Sequence, residues 1–162
     1  MVANAAPGTA AAGPRPRWWT NVPLPQAHLI ALGAGTLLSV IAPRRLPIPR
    51  RAGAVAGVAV IAGAVTLGSW AVASASRAGA TVDRTDKLVR TGAFAVSRNP
   101  MYLAWSLGLL GLAVLMRSVW LLIGAAAASM EVHREVLREE HALERAFGGE
   151  YRAYRRSTRR YI

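Results

Sequence analysis

The chain has 162 residues, a length that suits one domain, and carries 20 Lys+Arg against 8 Asp+Glu for a formal net charge of +12. Hydrophobic residues make up 53% and the mean hydropathy is +0.28. The apolar residues are blocked together, which points to several transmembrane helices and away from a soluble globule. There is no cysteine, which excludes disulfides, thiolate metal sites and a cysteine nucleophile. The arginines flank apolar runs, so the charge implies anionic lipid headgroups as partners and not nucleic acid.

Residues 1–25 are rich in Ala, Gly and Pro and have no signal-peptide core, so a disordered lead is expected there. Trp18 and Trp19 precede the first apolar run as an interfacial anchor would. That run covers 26–42 and opens with His28, a helix-end residue. The linker PRRLPIPRR (43–51) holds three prolines and four arginines, an extended solvated turn. A second run, 52–75, is long enough to span a bilayer, and its closely spaced small residues favour tight helix packing.

Residues 76–99 form the longest polar connection. A third run starts at Pro100 and ends near Met116, Arg117-Ser118 breaks it, and a fourth extends from Val119 to Met130. At about 15 residues, each of these reaches roughly 22 Å, short of a ~30 Å core. They predict a tilted or shallow hairpin, or a fourth helix that continues into the polar segment beyond. From Glu131 the pattern turns amphipathic: Val132, Val136, Leu143 and Phe147 share one helical face, Gly148-Gly149 is expected to end the helix, and a basic tail follows. Four spans would place both termini and the 76–99 connection on one side, with 15 of the Lys+Arg against 5 on the other. The positive-inside rule makes that side cytoplasmic, although the four arginines of 43–51 run against it.

Arg98-Asn99-Pro100 carries chemistry. Asn favours the N-cap and Pro the first helical position, so a helix starts at Pro100 with its positive dipole end beside Arg98. Such a turn is either a cap with a snorkelling arginine or an anion site. Glu139 and Glu140 flank the apolar stripe of the last helix. They are a solvated pair, or one of them holds a ligand's ammonium or hydroxyl groups. Tyr102, Tyr151 and Tyr154 are interface aromatics or pocket walls. His133 and His141 lack the partners of a metal set, so no metal is implied. Neither a Ser-His-Asp order nor a phosphate loop is present.

Together, LVRTGAFAVSRNPMYLAW (88–105) and REEHALERAFGGEYRAYRRSTRRYI (138–162) resemble the isoprenylcysteine carboxyl methyltransferase family and the related phospholipid methyltransferases. The resemblance covers about residues 80–160. It implies an all-α integral membrane enzyme of about four transmembrane helices. A C-terminal amphipathic helix would form a cytoplasm-facing pocket for S-adenosyl-L-methionine, and a lipophilic acceptor would enter from the bilayer. On this basis 26–79 supplies the first two transmembrane helices and 80–162 the methyltransferase-like module. Carried over by motif, the cofactor-binding residues are Lys87, Leu88, Val89, Phe94, Arg98, Asn99, Pro100, Met101, Tyr102 and Glu139.

Phe94 stands where the family has Tyr, and Asn99 where it has His. Glu135 occupies the position of a basic residue linked to the carboxylate acceptor, which argues against a prenylcysteine carboxylate here. The resemblance implies a bacterial plasma-membrane protein acting on a lipid or lipophilic small molecule. The alternatives are an NADPH-dependent, sterol-reductase-like enzyme and a non-enzymatic helical membrane protein.

Overall fold

A computed structural model of the chain describes residues 25–79 and 88–162. The lead, with Trp18 and Trp19, and the segment 80–87, with Lys87, lie outside the described residues. The elements are helices: α1 (Gln26–Ile41), α2 (Arg50–Arg77), the short α3 (Ala93–Val96), α4 (Pro100–Leu115) and α5 (Val119–Ser157). Extended pairing among the described residues is limited to two isolated bridges, Arg45 with Ser118 and Ser97 with Arg159.

The apolar runs of the sequence become α1, α2, α4 and the first third of α5. α2 has 28 residues and is long and apolar enough to cross a membrane. α1 and α4 are shorter apolar helices of 16 residues, roughly 24 Å at the helical rise against a ~30 Å hydrocarbon core. Much of α1 and α2 presents Ile30, Val40, Ile41, Val55, Val58 and Val65 outward. An outer surface of that kind is stable against lipid chains and costly against water.

α2 packs on α4 and α1 on α5, with α4 and α5 in contact between them. Small residues set these distances. A Cβ on Gly57 would stand 2.6 Å from the backbone nitrogen of Leu115, and one on Gly35 2.8 Å from Leu121. Leu109, Ala113, Leu121, Ala125 and Ala128 form the buried core between α4 and α5. Polar cross-links join the helices as well: His28 Nε2 with Ser106 Oγ at 3.1 Å, and Ser39 Oγ with Ser118 Oγ at 2.5 Å. Interhelical hydrogen bonds matter in an apolar phase that offers no water as a substitute.

The fourth apolar run continues past Met130 into the amphipathic segment, the second of the two arrangements the sequence offers. Gly148, at φ 50, ψ −117, breaks that helix where the glycine pair is expected to end it. What the sequence reading does not anticipate is the further helical segment that follows the kink and runs to Ser157. Tyr151 and Tyr154, both buried after the kink, hold that last segment against the bundle.

Candidate functional site

The site lies at the end of the bundle where α4 begins, and the turn before α4 is built around a glycine. Gly92 has φ 63, and a Cβ there would collide with Ser74 Oγ of α2. That hydroxyl donates to the carbonyl of Trp70 at 2.7 Å and accepts from the Ala93 amide at 3.2 Å, so α2 anchors the start of α3. Ser97, Asn99 and Pro100 are then buried. Pro100 opens α4 as the sequence predicts, but Asn99 does not cap it with its side chain. The Asn99 Nδ2 donates instead to the carbonyl of Arg160 at 3.2 Å.

This contact belongs to a strap formed by the C-terminal residues. The amide of Arg98 donates to the carbonyl of Arg159 at 2.9 Å, and Ser97 Oγ to that of Arg160 at 3.1 Å. Beside it, Tyr154 donates its hydroxyl to the carbonyl of Phe94 at 2.6 Å. At the edge, Arg90 pairs with Glu150 at 2.9 Å, half-exposed on both sides. The chain end is held by Tyr161, whose hydroxyl lies 2.9 Å from His133 Nδ1. His141 turns elsewhere, its Nδ1 donating to the carbonyl of Leu137, so the two histidines do not face a common point.

Beneath the strap, Glu140 is the ionic centre. Its carboxylate accepts from Arg98 Nη2 at 2.8 Å and Nε at 3.3 Å, and from Arg160 Nη2 at 2.9 Å and Nε at 3.0 Å. The Glu140 and Arg98 side chains are each 8% exposed. Arg98 Nη1 also donates to the carbonyls of Thr158 and Arg155. Burial alone would push the Glu140 carboxyl up, but the hydrogen bonds and charges of Arg160 and Arg98 outweigh it and hold it below its ordinary value. The sequence offered Arg98, beside a helix N-terminus, as a snorkelling arginine or as an anion site; in the fold its guanidinium is already matched by Glu140 and two carbonyls. A ligand carboxylate there would have to displace them.

Glu139 is arranged differently. It is accessible to solvent, and among the described residues no cation pairs with it. The protein atoms crowding it push its carboxyl up, and the like charges of Glu135 and Glu140 add to this. Only the Tyr102 hydroxyl, donating toward it from α4, works the other way. An accessible, uncompensated carboxylate with two acidic neighbours attracts a cation.

Met101 and Trp105 belong to the same turns of α4 as Tyr102. With Ser76, Ala73, Val72 and Gly68 of α2 they line an apolar groove of about 620 Å³ that runs along the two helices to Ile61 and Gly108. Of the sequence candidates, Phe94, Arg98, Asn99, Pro100, Met101, Tyr102 and Glu139 gather at this end, and Leu88 and Val89 are half-buried on the approach to α3. Ser97 and Arg160 were not among them, and Glu140, offered with Glu139 as a ligand carboxylate, is instead the ionic centre of the strap. One signal pointed to Glu140: it follows Val132 and Val136 at steps of four, on the buried stripe itself.

A model of the phospholipid methyltransferase family matches residues 52–150, from the start of α2 to beyond the α5 kink. The chain belongs to this family. No curated protein and no solved structure matches it. The match takes in both motifs that resemble the isoprenylcysteine carboxyl methyltransferases, apart from the end of the tail. Phospholipid methyltransferases are membrane-associated methyltransferases, and the membrane-capable α2 falls inside the matched region from its third residue on.

Proposed function

We propose that this phospholipid methyltransferase family member transfers the methyl group of S-adenosyl-L-methionine to a lipid or lipophilic small molecule at the membrane surface. The observation that carries this reading is the juxtaposition of two features at one end of the bundle. The accessible Glu139 carboxylate stands beside Tyr102, and the apolar α2–α4 groove opens one residue away at Met101.

The donor is a cation with an ammonium and a sulfonium, and when bound it supplies an electrophilic methyl group. Glu139 fits it: the carboxylate has no cationic partner among the described residues, and a bound cation would relieve its repulsion with Glu135 and Glu140. Tyr102 orients that carboxylate. Leu88, Val89 and Phe94 supply apolar surface on the approach, and Lys87 precedes them in sequence. Glu140 and Arg98 hold the turn and the strap in place and do not themselves contact the donor. The groove takes the apolar body of the acceptor from the bilayer and keeps water from it. Holding two reactants in line and out of water supplies much of the rate of a displacement, so an obvious base is not required. An anionic dinucleotide such as NADPH suits the site poorly, because Glu139 repels it and Arg98 is occupied.

In this account α1, α2, α4 and the apolar part of α5 cross the plasma membrane of a bacterial cell, with both termini and the site in the cytoplasm. The lysine and arginine imbalance between the two ends supports that orientation. The test is incubation of the purified protein in native lipid with methyl-labelled donor. Label should appear in the organic extract with wild-type protein. A well-folded wild type that leaves the extract unlabelled, while a family member assayed beside it labels its own acceptor, would overturn the proposal.

A further inference from the structure

The opposite end of the bundle carries a second cluster of charge. There the α1–α2 linker is clasped to the α4–α5 turn. The Leu46 amide donates to the carbonyl of Arg117 at 2.8 Å, the Val119 amide to that of Arg44 at 3.0 Å, and Trp120 Nε1 to that of Ala42 at 2.6 Å. This clasp gathers Arg44, Arg45, Arg50, Arg51 and Arg117 at one end. Arg117 is set by the turn itself, with φ 54, and its Nη2 donates to the Leu46 carbonyl.

Among the described residues, no acid answers these five arginines. The eight acidic residues of the sequence are Asp83 and Asp86, between α2 and α3, and six glutamates from 131 to 150. Among the described residues, every ion pair involves those glutamates and none involves the five arginines. Arg44, Arg45, Arg50 and Arg51 are exposed, and the buried Nε of Arg117 has no partner among the described residues. Arg50 and Arg51 also occupy the first turn of α2, where the helix dipole is already positive and no acidic residue offsets it. The arrangement repels itself unless anions arrive from outside the chain.

The surroundings of the patch identify the source of those anions. Val40, Ile41, Val55 and Met116 are exposed directly around it, and Trp120, an indole of the kind that favours membrane interfaces, is fixed at the same level. A soluble anion would match the charge and leave this apolar collar unanswered. A phospholipid matches both, with its phosphodiester on the guanidinium forks and its chains on the collar.

We infer that the 43–51 linker and Arg117 form a binding site for anionic phospholipid in the leaflet opposite the methyl-transfer site. This also accounts for four arginines in a linker that the positive-inside rule would leave uncharged. The inference rests on the membrane-spanning arrangement proposed above and not on the methyl transfer itself.

The test compares wild-type protein with a variant in which Arg44, Arg45, Arg50 and Arg51 are all replaced by glutamine, purified in mild detergent. Phosphatidylglycerol, phosphatidylcholine and inorganic phosphate are added in turn. Thermal unfolding and mass spectrometry under native conditions report stabilisation and retained lipid. Phosphatidylglycerol should be retained by the wild type and raise its Tm by several degrees, with phosphatidylcholine and phosphate doing neither. The glutamine variant should lose both effects. An Arg134→Gln, Arg138→Gln control, at the other end, should keep them. If the glutamine variant fails to fold, replacement of the same four arginines by lysine keeps the charge and should retain the lipid. Equal stabilisation by phosphatidylcholine, stabilisation by phosphate alone, an undiminished effect in the glutamine variant, or an undiminished effect in both double variants, Arg44→Gln with Arg45→Gln and Arg50→Gln with Arg51→Gln, would overturn the inference.

Discussion

Glu140→Gln should be the most damaging conservative change at the strap. The carboxylate accepts four hydrogen bonds from two arginines, and it and Arg98 are nearly sealed from water. Glutamine keeps the shape but removes the charge and turns one acceptor into a donor facing guanidinium groups. Removing one partner of a buried ion pair costs about 3–5 kcal/mol. Two features put this case at the lower end. Arg98 retains the carbonyls of Thr158 and Arg155, and Arg160, with its side chain 34% exposed, can turn to water. A loss of about 3 kcal/mol corresponds to a fall in Tm of roughly 6–12 °C for a chain of this size. Thermal unfolding in mild detergent reads it, with Glu131→Gln as a control, an exposed pair in which the change costs less than about 1 kcal/mol. Tryptic cleavage within the last residues should also accelerate, because the strap loses its anchor. The pH dependence has a definite sign. Since the folded state holds Glu140 below its ordinary value, its contribution is complete above the usual carboxylate range and disappears as pH falls through the depressed value. The deficit of the variant should therefore be full at neutral pH and shrink in acid. A variant no less stable than the Glu131→Gln control at neutral pH would refute the reasoning.

Gly57→Ala should destabilise by about 1–3 kcal/mol, because its Cβ would meet the Leu115 backbone, whereas Gly33→Ala, with open space around it, should be neutral or stabilising by up to about 1 kcal/mol. Equal effects in thermal unfolding would show that α2 and α4 do not approach as described. Gly148→Ala should cost about 1–3 kcal/mol from backbone strain alone, since nothing lies near its Cβ and only its positive φ is at stake. An unchanged Tm would mean that the kink is not needed to dock Tyr151 and Tyr154. Because Glu139 is held above its ordinary value, affinity for a cationic donor should fall as pH drops through that raised value, and binding near it should release protons. Calorimetry in buffers of different ionisation enthalpy measures that release, and uptake of protons instead would contradict the role of Glu139.

Much of the fold was legible because α1, α2 and α4 are bounded by signals that act locally. Pro43 and Pro100 frame apolar runs, and Arg117-Ser118 breaks the last one where the structure turns. The break at Gly148 was legible too, but the helical segment after it was not. Tyr151 and Tyr154 find buried positions beyond the kink, and that long-range packing makes the basic tail helical. The site was legible as a set of residues more than as a set of roles. Asn99 and Arg98 were placed in the correct turn, yet their partners come from 140 and from 155–160. Contacts at that separation leave no periodic trace. Glu139 and Glu140 differ by one step of about 100° on the helix. That step decides which carboxylate is matched by arginines and which stays open, and the phase is set by how α5 docks against α4.

The most direct test of the account is a calorimetric titration of S-adenosyl-L-methionine into wild-type protein and Glu139→Gln in the same detergent. The account predicts saturable binding by the wild type, and binding weaker by about 10- to 100-fold in the variant, the loss of a charge-assisted contact, at unchanged Tm. Equal affinity in the two proteins, or no binding by a folded wild type, would contradict it.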